Sequence, residues 1–241
     1  MKARPNSNYA KQLCKLGTAN HENLFLQHFF AKFVAKIRKM GRHSNSVYGK
    51  LLELIEAKGR GSIIFNRDFP DFSSEEIRWT LSRMVDDEVL IRLANGIYLY
   101  PKTNRFGIEY PSIDELAKAI AKRDSAHIIP SGLTAANILG LSEQVTMKSA
   151  YLTDGAARKI EIRGRIIEFK RTVPGNFAYK TSLMPILIQA LKAIGKDNIV
   201  EGHKKQISKL LSLEADLVGL KEDIAQAPQW IKKLLLELNS K

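Results

Sequence analysis

The stretch Ser73-Ser74-Glu75-Glu76-Ile77-Arg78-Trp79-Thr80-Leu81-Ser82-Arg83-Met84-Val85-Asp86-Asp87 is followed almost at once by Val89-Leu90-Ile91-Arg92-Leu93-Ala94-Asn95-Gly96-Ile97-Tyr98-Leu99-Tyr100. Ser73 and Glu76 stand at capping-box spacing, where each side chain can satisfy the other's free backbone N–H. Ile77, Leu81, Met84 and Val85 recur with the helical period, which predicts a helix over about 74–87 with one buried face. The runs 89–93 and 97–100 predict two strands joined through Asn95-Gly96, the strongest short hairpin signal a sequence offers. Pro101 is expected to end the second strand.

Working upstream, Val47, Leu51, Leu54 and Ile55 mark an amphipathic helix that stops at Gly59 and Gly61. Residues 62–65 form a short β-branched and aromatic run, and 66–72, interrupted by Pro70, have room only for a short helix or turn. Helix, short strand, short helix, capped helix, hairpin: within some 55 residues this order is the winged helix-turn-helix plan. Residues 44–104 are therefore assigned to a DNA-binding domain.

Downstream, 105–241 read as an α+β domain ending in helices. A second capping box, Ser112 to Glu115, opens a helix running to about Arg123. After Pro130, Ser131 is expected to cap a short helix ending at Gly140. Strands are expected at 150–153, 159–162 and 165–170, the last two a hairpin around Arg163-Gly164. Helices follow at about 182–194, 199–211, 213–226 and 229–238, punctuated by Gly195 and Pro228. The fold class expected is α+β throughout.

Residues 1–43 are a basic N-terminal extension. The first twenty are polar and unpatterned and are expected to be disordered. Over 24–40, Leu26, Phe29, Phe30, Phe33, Val34, Ile37 and Met40 share one helical face, with Lys32, Lys36, Arg38 and Lys39 on the others. Three readings stay open: a helix for a membrane surface or anionic partner, an extra helix docked on the protein, or a segment upstream of a translation start at Met40.

The 241-residue chain carries a net charge of +13, which points to a polyanionic partner, nucleic acid first. The charge is uneven: +7 in 1–39, −1 in 44–104 and +6 in 105–241. The basic character thus lies outside the segment with the winged-helix order. No apolar run approaches the roughly 18–20 residues of a membrane span, and the basic N-terminus lacks the features of a signal peptide, so a cytoplasmic location without membrane association is expected. Cys14 is the single cysteine, which excludes an intramolecular disulfide and a cysteine zinc cluster. His21, His28, His43, His127 and His203 are scattered, and no metal site is expected. The chain has no Gly-x-Ser-x-Gly elbow, no phosphate-binding Gly-rich loop and no zinc-protease helix, so no catalytic residues and no cofactor are assigned. Ser131 near His127 reads as a helix cap and Asp154-Gly155 as a turn.

With the apolar side of helix 74–87 inward, the rotation of about 100° per residue leaves Glu75, Arg78, Trp79, Ser82, Arg83 and Asp86 outward. Arg78 and Arg83 suit bidentate contact with guanine or phosphate, or form an ordinary solvated face. Glu75 can accept from cytosine or favour the helix N-terminus. Trp79 either lies against the DNA backbone or covers the edge of the wing. Arg92 and Asn95 belong to the wing, with Lys102 and Arg105 just beyond it. Arg158, Lys159, Arg163, Arg165, Lys170 and Arg171 form a second basic set, which is either a second nucleic-acid surface or the wet face of a hairpin.

Several motifs resemble the antitoxins of AbiE-type abortive-infection systems, winged-helix transcriptional regulators of the AbiEi-like kind. They are Gly59-Arg60-Gly61-Ser62-Ile63-Ile64-Phe65, Thr80-Leu81-Ser82-Arg83-Met84-Val85, and Arg92-Leu93-Ala94-Asn95-Gly96-Ile97-Tyr98. The resemblance continues through Pro130-Ser131-Gly132, Ala136-Asn137-Ile138-Leu139-Gly140-Leu141-Ser142, Tyr151-Leu152-Thr153-Asp154-Gly155, Phe169-Lys170-Arg171-Thr172 and Ala227-Pro228-Gln229-Trp230. It covers about 45–235. The resemblance implies a type IV antitoxin that represses its own operon by binding operator DNA through the N-terminal domain. Through the C-terminal domain such a protein opposes a nucleotidyltransferase-like toxin without needing a stable complex. The alternatives are a protein-interaction module that sequesters its toxin directly, and an RNA-binding regulator using the second basic set.

Overall fold

A computed structural model describes residues 46–144 and 146–239. The readings of 1–43 lie outside the described residues. A division into two units falls after Glu53. Residues 46–53 are the described part of the first unit, and the described residues from Leu54 onward belong to the second.

Helix α1 (Val47–Lys58) ends at Gly59, whose φ of +83° suits the left-handed position that closes helices. After β1 (Ile63–Phe65), a 3-10 turn (Asn66–Asp68) is pinned by the Asp68 carboxylate, which accepts from the Phe65 N–H at 2.9 Å and pairs with Lys58 at 2.7 Å. Helix α2 (Ser74–Asp86) opens on the expected capping box. Ser73 Oγ accepts from the Glu76 N–H and the Glu76 carboxylate accepts from the Ser73 N–H at 3.0 Å. Ile77, Leu81 and Met84 are buried beneath it.

Strands β2 (Ile91–Ala94) and β3 (Ile97–Leu99) complete an antiparallel sheet of order β1-β3-β2. At the Asn95-Gly96 turn only Gly96 has a positive φ, +69°, and the pairing slips between Arg92 and Ala94. The hairpin therefore closes through a bulge, not through the doubly left-handed turn that Asn-Gly favours.

Past Pro101 the chain forms a second ribbon, β4 (Lys102–Asn104) with β5 (Gly107–Glu109). Helix α3 (Ile113–Arg123) carries the second capping box, Ser112 with Glu115. Strand β6 (Ile128–Ser131) corrects the cap reading of Ser131: this serine closes a strand, and Gly132, with φ +61°, precedes α4 (Leu133–Ile138). The reason is tertiary. β6 sits at the edge of the sheet β6-β7-β9-β8, where Pro130 leaves no central ladder bond unmade.

The other strands of that sheet are β7 (Lys148–Thr153), β8 (Arg158–Ile162) and β9 (Arg165–Arg171). β7 and β9 run parallel and the remaining neighbours antiparallel. The β8–β9 turn has both Arg163 (φ +53°) and Gly164 (φ +73°) left-handed. Helices α5 (Leu183–Ile194), α6 (Glu201–Ser212), α7 (Leu217–Gln226) and α8 (Gln229–Asn239) complete an α+β fold.

Two apolar clusters stand out among the described residues. One lies among the C-terminal helices, with Leu187, Leu191, Ile207, Ile224, Ile231 and Leu235 at its centre. It is fastened by the fully buried Asp223, which accepts from the Lys180 and Thr181 N–H groups at 2.8 Å each and from the Thr181 hydroxyl at 2.7 Å. The other joins Phe65, Leu93, Ile97 and Leu99 of the first sheet to Leu116 and Ile120 of α3, and to Tyr151, Ile167 and Phe169 of the second sheet. This cluster spans both sides of residue 104. Among the described residues no helix is long and apolar enough to cross a membrane.

Candidate nucleic-acid interface

The capping box fixes where α2 begins, and the burial of Ile77, Leu81 and Met84 fixes its rotation. Glu75, Arg78, Trp79, Arg83 and Asp86 are consequently exposed on one side, with Ser82 half-buried. Trp79 is 71% exposed. Most of its indole surface therefore faces solvent. Arg83 lies 3.9 Å from Asp87 one turn on, a weak tether for an exposed guanidinium.

On the hairpin, Arg92 is exposed. It donates to the Tyr98 hydroxyl at 3.4 Å, with its guanidinium 5.6 Å from that ring. Asn95 is exposed at the turn, while Leu93 and Ile97 point into the shared core. Lys102 pairs with Glu109 across the second ribbon at 3.1 Å. Arg105 lies at the ribbon's tip, over the ring of Phe106, which is 83% exposed. Sequence reasoning missed Phe106 and its ribbon. The available signal was Asn104, whose Oδ1 accepts from the Phe106 N–H at 2.8 Å, together with Gly107 at φ +113°.

The second basic set does not form one strip. Strand pairing puts Arg158, Arg165 and Arg171 on the sheet face of Tyr151, Ile167 and Phe169, and Lys159 and Lys170 on the opposite face. Arg158 is half-buried, donating to Asp124 with its guanidinium 5.3 Å from the Phe169 ring centre. Arg163 stands 3.6 Å from the Tyr110 ring centre, and Arg165 joins it at the edge of a cavity of about 370 Å³. Deeper on that face, burial pushes the Tyr151 hydroxyl well above its ordinary range, and Asp114, which accepts from it, adds to the effect.

Lys159 and Lys170 gather with Lys148 on the buried Glu168 carboxylate, at 3.4, 3.6 and 2.8 Å. The Lys148 hydrogen bond, then that of Lys159, holds this carboxyl below the usual range. Three lysines on one carboxylate leave this patch positive. Elsewhere, Asp154 accepts from the His127 N–H at 2.8 Å and faces its Nδ1 at 2.7 Å, contacts that hold the Asp154 carboxyl low. Among the described residues no group of three or more His, Cys, Asp or Glu side chains is placed to hold a metal.

Residues 50–217 match the sequence model of DUF6088, a family of unknown function. The chain belongs to that family. The DUF6088 span takes in the exposed face of α2, both ribbons and the whole β6–β9 sheet, and closes at the first residue of α7. No curated protein matches the chain.

Proposed function

We propose that this protein is a DNA-binding transcriptional repressor that uses segment 47–100 as a winged helix-turn-helix. The observation that carries the reading is the outward face of α2. Arg78, Trp79 and Arg83 are exposed on a helix capped at its N-terminus, preceded by a helix, a strand and a short turn, and followed by a β-hairpin. In such a module the capped helix enters the major groove, where arginine reads guanine and a tryptophan packs on the sugar-phosphate backbone. The hairpin's Arg92 and Asn95, with Lys102 and Arg105 on the next ribbon, are assigned to flanking phosphates.

Together with the motif resemblance, this reading makes the chain an AbiE-like type IV antitoxin that represses its own operon and opposes a nucleotidyltransferase-like toxin. Cytoplasmic location and the absence of catalysis belong to the same proposal. Substituting Arg83→Ala should weaken operator binding by roughly 1–3 kcal/mol if it reads a base edge. A binding curve identical to wild type would return Arg83 to the solvated surface.

A further inference from the structure

Asn66, Arg67, Gly96, Arg123, Asp124 and Arg158 line an open cavity of about 280 Å³. Its electrostatics are lopsided. Arg123 grips Asp124 with Nε and Nη2 at 2.9 and 3.2 Å, Arg158 Nη2 donates to the same carboxylate, and Arg67 Nη1 stands 3.9 Å from it. Burial pushes the Asp124 carboxyl up, but the hydrogen bonds from Arg123 and Arg158 outweigh it and hold the group ionised. Arginine does not give up its proton, so three cations face one anion and two positive charges go unmatched.

Two lining residues also carry a buried polar atom without a partner: Nε of Arg158, a donor, and Oδ1 of Asn66, an acceptor. Such orphans are rare in folded proteins, because each forfeits its hydration without a replacement bond. A purely structural clamp of Arg123 and Arg158 on Asp124 accounts neither for these atoms nor for Arg67, whose side chain is 76% exposed at the rim.

We propose that this cavity binds a small phosphate monoester bearing a hydroxyl group. The dianion matches the two surplus charges, and its oxygens accept one charge-assisted hydrogen bond from Arg67 and one from Arg158 Nε. The hydroxyl donates to Asn66. The volume, just below the roughly 300–1,000 Å³ usual for ligand cavities, suits a group the size of a sugar phosphate. Asn66 and Arg67 form the turn that leads into α2, so an occupant would brace the chain just ahead of that helix.

The test is calorimetric titration of the full chain, without DNA, using ribose 5-phosphate and inorganic phosphate at constant ionic strength. The expected result is saturable one-site binding, tighter for ribose 5-phosphate. Arg67→Ala, a change at an exposed rim, should weaken it about tenfold, the loss expected for one charge-assisted hydrogen bond. Arg158→Lys, which keeps the charge but removes Nε, should weaken it too, while Lys192→Ala, on α5 outside the cavity, should bind as wild type. No saturable heat, or equal affinity in wild type and Arg67→Ala, overturns the proposal. So does loss of duplex-DNA affinity in Arg67→Ala without ribose 5-phosphate binding to wild type, which would assign the cavity to a DNA-backbone phosphate.

Discussion

Replacing Asp223 with alanine should be among the most damaging single changes in the C-terminal half. The carboxylate is fully buried and accepts three hydrogen bonds, from the Lys180 and Thr181 N–H groups and the Thr181 hydroxyl. Hydrogen bonds to a charged group contribute about 1.5–3 kcal/mol each, but three on one carboxylate do not simply add. Lys180 is exposed, so its N–H can turn to water; Thr181 is buried, and its N–H and hydroxyl cannot. The expected cost is therefore about 3–5 kcal/mol, a large part of the ~5–15 kcal/mol that holds a domain folded. Asp223→Asn keeps one accepting oxygen but turns an NH₂ toward a donor, so about 2–3 kcal/mol is expected. The assay is urea unfolding followed by circular dichroism, with an unchanged m-value showing that compactness is preserved. An Asp223→Asn protein within about 0.5 kcal/mol of wild type would refute the reasoning.

Other outcomes rest on single contacts. Ser73→Ala should cost about 1 kcal/mol through the lost cap of α2. Hydrogen bonds from Ser73 hold Glu76 below its ordinary value of 4.5, so the cap's contribution is complete above that pH and fades as pH falls through the depressed folded-state value. The stability gap between wild type and Ser73→Ala, measured against pH, should accordingly narrow in acid; a gap that widens there contradicts the assignment. Arg163→Glu with Arg165→Glu removes the stack on Tyr110, worth about 0.5–1 kcal/mol, and should leave the protein folded. If the hairpin tip is a working surface, growth rescue from the induced toxin should fail in this double variant while repression survives in part. Full rescue would dismiss that surface. Fragment 44–104 should unfold at lower urea than the full chain, because Phe65, Leu93, Ile97 and Leu99 lose the cover of α3 and the second sheet; an equal midpoint would contradict this.

Features built from local hydrogen bonds and periodicity were readable from the chain. Both capping boxes, the exposed face of α2 and the Arg163-Gly164 turn need only neighbours within a few residues. The β4–β5 ribbon escaped because every one of its positions is exposed, so no apolar alternation marks it. Strand β6 escaped because Ile-Ile-Pro-Ser is short and its pairing with β7 is set by distant residues. Element order suggests that 44–104 is self-contained. One face of its sheet, however, packs into a cluster with Tyr151, Ile167 and Phe169, which no local pattern connects to Leu93. Likewise the arginines around Asp124 arrive from the 3-10 turn, α3 and β8, and only the fold assembles them. Trp79 could be placed on the outward arc of its helix, but its degree of exposure depends on packing that no local pattern sets.

The most direct measurement of the central claim is a fluorescence-anisotropy titration of the full chain at about 0.15 M salt. It compares a duplex from upstream of the protein's own gene with a scrambled duplex of the same composition. A reader of sequence through the α2 face should bind its own duplex at least about 10³-fold more tightly, and Arg78→Ala with Arg83→Ala should remove most of that preference. Equal affinity for the two duplexes, falling together with salt, would mean that the chain holds nucleic acid by charge alone and would contradict the account.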